Sequence, residues 1–142
     1  MILIDANLLL AAYDTSNPKH ETARSWLQDA LSGEEQIGLA LTTLLAFVRI
    51  GTDPRVFDHP LSTDEATDIL SGWLSNPGVT LVQPTPRHWP LLATVAREGQ
   101  ARGPLMMDAH LAALAIEHGA VVHTNDRDFA RFPGTRFTNP IA

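Results

Sequence analysis

Short apolar runs alternate with longer segments of helical periodicity along the whole chain, and this alternation restricts its fold more than any other feature. The runs at 1–4, 36–42, 78–84 and 120–124 end in turn or polar residues, which predicts strands, and a last strand is expected near 136–138. Strands separated by helices pair in parallel and are covered on both faces. The sequence therefore predicts an α/β protein with a mainly parallel central sheet of four to five strands.

The segments between the runs carry helix signals. Asn7 is expected to cap a first helix that continues through Leu8, and Ser62 and Glu65 have the spacing of a capping box for a later one. An Ala-rich helix is expected to end at Gly119. Three tryptophans are interpreted as packing residues because they lie at helical core spacing: Trp26, Trp73 and Trp89.

Composition limits the classes of protein that fit. The length favours a single domain over residues 1–142, and the absence of cysteine excludes a disulfide framework, a thiolate zinc site and a cysteine nucleophile. The apolar start is interrupted by Asp5 and Asn7 without a basic segment before it, so we expect no signal peptide or membrane span and a soluble, cytoplasmic protein. The net charge of -6 argues against polyanion binding unless divalent ions neutralise a cluster of acids.

Four aspartates stand where such a cluster is expected. Asp5 follows the first strand, Asp126 and Asp128 follow the fourth, and Asp108 lies in the first turn of the Ala-rich helix on its apolar side. In open parallel sheets, ligands bind beyond the carboxyl ends of the strands, so these side chains are expected to meet at that edge. Alone, each has an ordinary interpretation as a turn, cap or helix-dipole residue. Together they indicate a site for a hard divalent cation such as Mg²⁺.

Such a site suits phosphodiester hydrolysis, because divalent ions activate water and neutralise the leaving oxygen. Arg49 is the cation best placed to meet a phosphate, since its helix follows a strand at the same edge, although a solvated helix face explains it equally well. The six histidines form no defensible metal site by spacing. The chain has no glycine-rich phosphate loop, no nucleophile elbow and no His-Glu-x-x-His motif.

The two ends of the chain resemble the PIN-domain family, and specifically the VapC-type toxins of bacterial toxin–antitoxin pairs. The matching pieces are "MILIDANLLLAA" at 1–12 and "DAHLAALAIEHGAVVHTNDRDFARFPG" at 108–134, joined by the same order of strands and helices. Either piece alone is a weak signal, whereas the pair is specific. The resemblance covers nearly the whole chain and implies a PIN-like three-layer α/β/α sandwich.

The resemblance also assigns roles to residues. The family's first, third and fourth acids fall on Asp5, Asp108 and Asp126, which implies that these three hold the metal, and Asp128 stands where members often have a further catalytic acid. The family's second acid is a glutamate in a stretch like Ala-Glu-hydrophobic-Arg, and here "LLAFVRIG" puts Phe47 in that place. One tightly held ion is therefore expected, with Asp128 or a substrate phosphate compensating. Three residues are expected near the substrate: Arg49, Asn7 and Thr124. Of these, Asn7 and Thr124 match polar residues of the family that steady the acids.

The function implied by the resemblance is a Mg²⁺- or Mn²⁺-dependent endoribonuclease that cleaves structured RNA such as tRNA or rRNA. Its implied partners are a VapB-type antitoxin and a second copy of the chain in a homodimer. A catalytically degenerate PIN scaffold, which binds a partner protein or RNA without cleavage, is the main alternative. A phosphatase that uses Asp5 as nucleophile ranks last, because the expected Asp-x-Asp is Asp-x-Asn here.

Overall fold

The computed structural model describes residues 1–142 and has one parallel sheet of five strands in the order β3-β2-β1-β4-β5. All four strand pairings are parallel, so the predicted α/β fold is confirmed. A 3₁₀ helix follows β4. The elements are β1 (Ile2–Ile4), α1 (Ala6–Tyr13), α2 (His20–Ser32), β2 (Ile37–Ala40), α3 (Leu41–Gly51), α4 (Thr63–Leu74), β3 (Val79–Val82), α5 (His88–Glu98), α6 (Leu105–His118), β4 (Val121–His123), the 3₁₀ helix (Arg127–Arg131) and β5 (Phe137–Thr138).

The sheet separates two apolar cores, which makes three layers. Alternate side chains of a strand face opposite sides, so Ile2 and Ile4 join a core with α1, α2, α3 and α4, while Leu3 joins a second core with α5, α6 and the 3₁₀ helix. This is the predicted α/β/α sandwich. No helix is both long and apolar enough to cross a membrane.

The register of the central strands brings two polar segments together. β1 pairs with β4 so that Ile4 lies opposite His123, and the Asp5 amide donates to the His123 carbonyl at 3.0 Å. Asp5 and Thr124 therefore leave the sheet side by side at its carboxyl edge. This edge carries the candidate site.

The first helix begins earlier than predicted. Asp5, not Asn7, is the N-cap, and its side chain accepts from the Ala6 amide at 2.7 Å. The helix starts here because Asp5 already has extended backbone at the end of β1, so its carboxylate lies beside the free amides of the first turn. Asn7 is inside that turn, where its side chain is free to contact Asp5. The predicted capping box at Ser62 and Glu65 is confirmed.

The tryptophans divide between core and surface. Trp73 is buried, and Trp26 packs partly buried against the first core and stacks on His123. Trp89 is 73% exposed at the start of α5, so its interpretation as a packing residue was wrong. It precedes Pro90 in the first turn of a helix whose buried face is made by other residues, so spacing alone did not identify the face.

Gly99, at the end of α5, is required for close packing and not for an unusual backbone conformation. Gly99 has helical backbone, and an added Cβ would lie 2.5 Å from Cδ1 of Phe132. The left-handed residue that follows the helix is Gln100, at φ +53°. The close approach of α5 to Phe132, and not the turn, therefore requires glycine at position 99.

We expect Gly99→Ala to destabilise the fold by about 1–3 kcal/mol, because the new methyl group overpacks against the Phe132 ring. Gln100→Gly should act in the opposite direction, since it relieves a left-handed conformation that costs about 1–2 kcal/mol for a side-chain residue. Urea denaturation of the two variants measures both effects. Equal stability of Gly99→Ala and wild type would contradict the packing assignment.

Candidate metal centre

Three carboxylates converge at the carboxyl edge of the sheet. One ligand oxygen from each of Asp108, Asp126 and Asp128 lies within 4.8 Å of the other two. Asp108 comes from the first turn of α6, Asp126 caps the 3₁₀ helix by accepting from the Asp128 amide at 2.8 Å, and Asp128 lies in its first turn. The fold thus brings residue 108 beside the loop after β4.

Asp5 lies beside this group with its carboxylate held by neutral donors. Its Oδ1 accepts from the Ala6 amide, and its Oδ2 accepts from the Thr124 hydroxyl at 2.8 Å and from Asn7 Nδ2 at 3.2 Å. The Thr124 Oγ1 also accepts from Asn7 Nδ2 at 3.1 Å and from the Asp126 amide at 3.0 Å. One hydroxyl therefore links the first acid to the backbone of another.

This network fits the acid-steadying role that the resemblance implies for Asn7 and Thr124. Thr124 is only 1% exposed, so it orients Asp5 and the Asp126 backbone and does not reach a substrate. Asn7 is half-buried, and its Oδ1 accepts from the Asn125 amide at 3.3 Å. Both residues therefore hydrogen-bond within the acid site, and a contact of Asn7 with the substrate stays a prediction.

A cavity of about 200 Å³ opens beside the acids. It is lined by Asp5 and Asp108 on one side and by α3 on the other, where Ala46 and the exposed Arg49 contribute to the wall. Arg49 therefore lies where a phosphate-binding residue was expected. The cavity is large enough to admit a phosphate group next to the carboxylates.

Burial and the charges of neighbouring acids raise the pKa of two of the acids, Asp108 and Asp5. Burial first, then the charges of Asp126, Asp5 and Asp128, raise the pKa of Asp108 from 3.8 to about 6, while Arg131 lowers it. Burial raises the pKa of Asp5, against the opposing hydrogen bonds from Thr124 and Ala6. Carboxylates shifted by desolvation and by one another are typical of functional sites.

The donor set fits a hard divalent cation. All the converging ligand atoms are carboxylate oxygens, which Mg²⁺ and Mn²⁺ prefer, and the sequence offers no thiolate to favour a softer metal. A cation would also relieve the repulsion that raises the pKa of Asp108. The acids of this edge therefore suit a metal centre better than a set of surface charges.

The raised pKa of Asp108 predicts how the metal-free protein responds to pH. The folded state binds this proton more tightly than the unfolded chain does, so the carboxyl costs stability as pH rises from about 4, with the full cost present above the folded pKa of about 6. Asp5 acts with the same sign. Denaturation in EDTA at low and neutral pH should show Asp108→Asn gaining stability over wild type as pH rises. A difference that does not change with pH would contradict the shift.

Phe47 does not face the acids. It is fully buried in the first core, with ring centroids 5.8 Å from Tyr13 and 5.5 Å from Trp73. The α3 position that lines the acid cavity is its neighbour Ala46. The side chain at position 47, which the resemblance matches to the family's glutamate, therefore points into the core, and its neighbour points to the cavity because successive helix residues point about 100° apart.

Two histidines meet outside the acid site, which the spacing of the sequence did not indicate. His88 Nε2 lies 2.9 Å from His110 Nδ1, and His88 Nδ1 is hydrogen-bonded to the buried Glu117 carboxylate. The second Glu117 oxygen accepts from the Thr85 amide at 2.8 Å. The cluster joins the start of α5 to α6.

Known proteins resemble the chain over its full length. It matches the PIN domain family model over residues 2–134, and it is 42% identical to Ribonuclease VapC37 of Mycobacterium tuberculosis over 142 residues, which is 100% of this chain and 99% of the relative. This chain belongs to the PIN-domain family, in its VapC group. Ribonuclease VapC33 of the same organism is 40% identical over 141 residues, which is 99% of each chain.

Solved structures of VapC proteins share the fold. VapBC2 from Rickettsia felis bound to promoter DNA matches this VapC-family chain with a TM-score of 0.68 at 17% identity, covering 98% of each chain. Mycobacterium tuberculosis VapC20, described as a sarcin-ricin loop cleaving toxin, matches with a TM-score of 0.69 at 18% identity, covering 96% of this chain and 99% of that one. At these identities the likeness concerns the fold.

Proposed function

We propose that this VapC-family chain is a Mg²⁺- or Mn²⁺-dependent endoribonuclease that acts as the toxin of a toxin–antitoxin pair. The observation that carries the proposal is the convergence of three carboxylates within 4.8 Å, with Asp5 beside them. Support for ribonuclease activity comes from relatives named as ribonucleases at up to 42% identity over the whole chain. Structured RNA such as tRNA or rRNA is the proposed substrate.

Asp5, Asp108 and Asp126 would hold the cation, and Asp128 would contribute directly or through water. A bound divalent cation supplies charge neutralisation and an activated water at neutral pH. The protein supplies the geometry: Thr124 and Asn7 each donate one hydrogen bond to the Asp5 carboxylate, and a third bond joins Asn7 to Thr124, so that this acid needs little reorganisation.

The residues around the cavity would bind and orient the RNA backbone. Arg49 lines the wall opposite Asp5 and Asp108, where its guanidinium can donate to a phosphate oxygen. The apolar Leu45 and Met107 also line the cavity and are more than half exposed, so they would exclude water when RNA covers the opening. Positioning a phosphodiester beside the acids is the part of the reaction that this chain performs itself.

The proposed partner is a VapB-type antitoxin. A similar fold occurs in a structure described as a toxin–antitoxin complex from Klebsiella pneumoniae, with a TM-score of 0.64 at 16% identity, and in DNA-bound VapBC from Salmonella typhimurium, with a TM-score of 0.65 at 20% identity. Homodimerisation, which the family resemblance also implies, stays a prediction, as does a cytoplasmic location.

The proposal is tested by incubating the purified chain with total RNA in excess Mn²⁺, in Mg²⁺ and in excess EDTA. We expect cleavage at defined sites with either metal and none in EDTA, because the acids repel both one another and the substrate phosphate without a cation. Undiminished cleavage in EDTA would reject the metal mechanism. Absence of both Mn²⁺ binding and cleavage would favour the non-catalytic scaffold.

A further inference from the structure

The 3₁₀ helix that carries the acids also carries a cation. It begins after its cap Asp126, includes Asp128 and ends at Arg131, an exposed residue that motif spacing did not single out. We propose that Arg131 binds a phosphate of the RNA next to the one that is cleaved, and so positions the backbone across the acid cluster. This inference rests on the proposed function, because it assigns a substrate contact to the same site.

The first step is that the Arg131 side chain is tethered. Its Nη1 donates to the Gly99 carbonyl at 3.1 Å. Gly99 itself packs against the Phe132 ring so closely that an added Cβ would lie 2.5 Å from Cδ1. The hydrogen bond and this packing join the end of α5 to the end of the 3₁₀ helix, and the bond holds the Arg131 guanidinium at the Gly99 carbonyl.

The second step is that the guanidinium keeps donors free. Arginine has five N–H donors, and Arg131 makes one side-chain hydrogen bond and no salt bridge with any carboxylate. Its charge still acts on the acid cluster, since it lowers the pKa of Asp108. An arginine whose charge reaches Asp108 and which pairs with no carboxylate is free to bind an anion, and a phosphate beside the metal-binding carboxylates fits that role.

The third step is the position of Arg131 relative to Arg49. Arg49 belongs to α3, which packs in the first core, whereas the 3₁₀ helix packs through Phe129 in the second core. The two cations therefore approach the carboxyl edge from opposite layers of the sandwich. An RNA backbone that crosses the edge would meet one arginine from each layer.

Arg136 provides a matched control. It is exposed, and its Nη2 donates to the Gly119 carbonyl at 3.1 Å, so it makes the same kind of hydrogen bond as Arg131 at the same length. Unlike Arg131, it is not among the charges that shift the pKa of Asp108. Arg136→Ala therefore removes one positive charge and one arginine–carbonyl bond without touching the proposed phosphate contact.

The experiment measures RNA affinity as a function of salt for Arg131→Ala, Arg131→Lys and Arg136→Ala, with labelled structured RNA and Mn²⁺ in an Asp126→Asn background that prevents turnover. We expect Arg131→Ala to bind about 10-fold more weakly and to reduce the slope of log affinity against log salt by about 0.7–0.9, the value of one phosphate contact. Arg131→Lys should restore the slope but not the full affinity, because it lacks the tether and the planar fork. Arg136→Ala should match the parent in affinity.

A merely structural Arg131 would give a different result. Arg131→Ala would then lower the melting temperature while the salt slope stayed equal to that of Arg136→Ala, and this outcome would overturn the inference. If Arg131→Ala does not fold, Arg131→Lys tests the inference instead, because it keeps the positive charge. An RNA affinity of Arg131→Lys equal to that of the parent would overturn the proposed contact between the guanidinium and the phosphate. Failure of the proposed function is separate, because it appears as wild-type protein that does not cleave RNA with Mn²⁺, whatever the binding data show.

Discussion

Asp126→Asn is expected to abolish RNA cleavage while the fold remains intact. Removing a metal ligand should lower activity by more than the 10–100-fold that is typical when a residue hydrogen-bonded to a ligand is removed. The asparagine retains an Oδ1 that can accept from the Asp128 amide, so the cap of the 3₁₀ helix survives. Removing one charge from a cluster that raises the pKa of Asp108 should leave stability unchanged or slightly increased.

Asp5→Asn should also abolish cleavage, but this substitution also disturbs the hydrogen bonds that the side chain accepts. Oδ2 of Asp5 accepts from both Asn7 Nδ2 and the Thr124 hydroxyl, so an amide nitrogen at that place would oppose two donors. Asp68→Asn, on the exposed face of α4, is the control for the same chemical change. Cleavage assays with Mn²⁺ and thermal denaturation measure both effects. Wild-type activity in Asp126→Asn would remove this residue from the proposed metal centre.

Ala46→Glu and Phe47→Glu are expected to have opposite consequences, although they are adjacent. Ala46 lines the cavity with Asp5 and Asp108, so a glutamate there would add a carboxylate next to the acids and strengthen Mn²⁺ binding. Phe47→Glu would place an unpaired charge between Tyr13 and Trp73 in a fully buried position. Loss of the ring alone should cost about 3–5 kcal/mol, so we expect this variant to unfold.

Mn²⁺ titration by calorimetry and thermal denaturation distinguish the two variants. Ala46→Glu should stay folded and show higher Mn²⁺ affinity than wild type, and Ala46→Gln is its control because it adds similar volume without charge. A folded Phe47→Glu variant with tighter Mn²⁺ binding would show that position 47, and not position 46, faces the acids.

The strands and the edge where the acids meet were predictable from the sequence, whereas the orientation of helical side chains was not. An apolar run between polar residues identifies a strand such as β4, and parallel pairing brings the ends of β1 and β4 to one edge. Asp5 and Asp126 were predicted on that ground. In α3 a shift of one residue turns a side chain from the cavity to the core, so family spacing alone did not show that Phe47 is buried and that Ala46 lines the cavity.

Contacts between segments that are far apart in sequence were also beyond prediction. Gly99 packs against Phe132 and accepts a hydrogen bond from Arg131, and these residues are 32 or more positions apart in the sequence. The pairing of His88 with His110 depends on how α5 crosses α6. Neither contact has a local sequence pattern, because each depends on the approach of two elements in the folded chain. The glycine was visible in the sequence, but a turn was the natural explanation for it.

Crystals grown with Mn²⁺ and measured for its anomalous scattering would locate the ion directly. We expect one strong peak at the carboxyl edge, coordinated by oxygens of Asp5, Asp108 and Asp126 at roughly 2.1–2.2 Å, with Asp128 bound directly or through water. A fully occupied peak away from these side chains, or no peak at saturating Mn²⁺, would contradict the proposed metal centre.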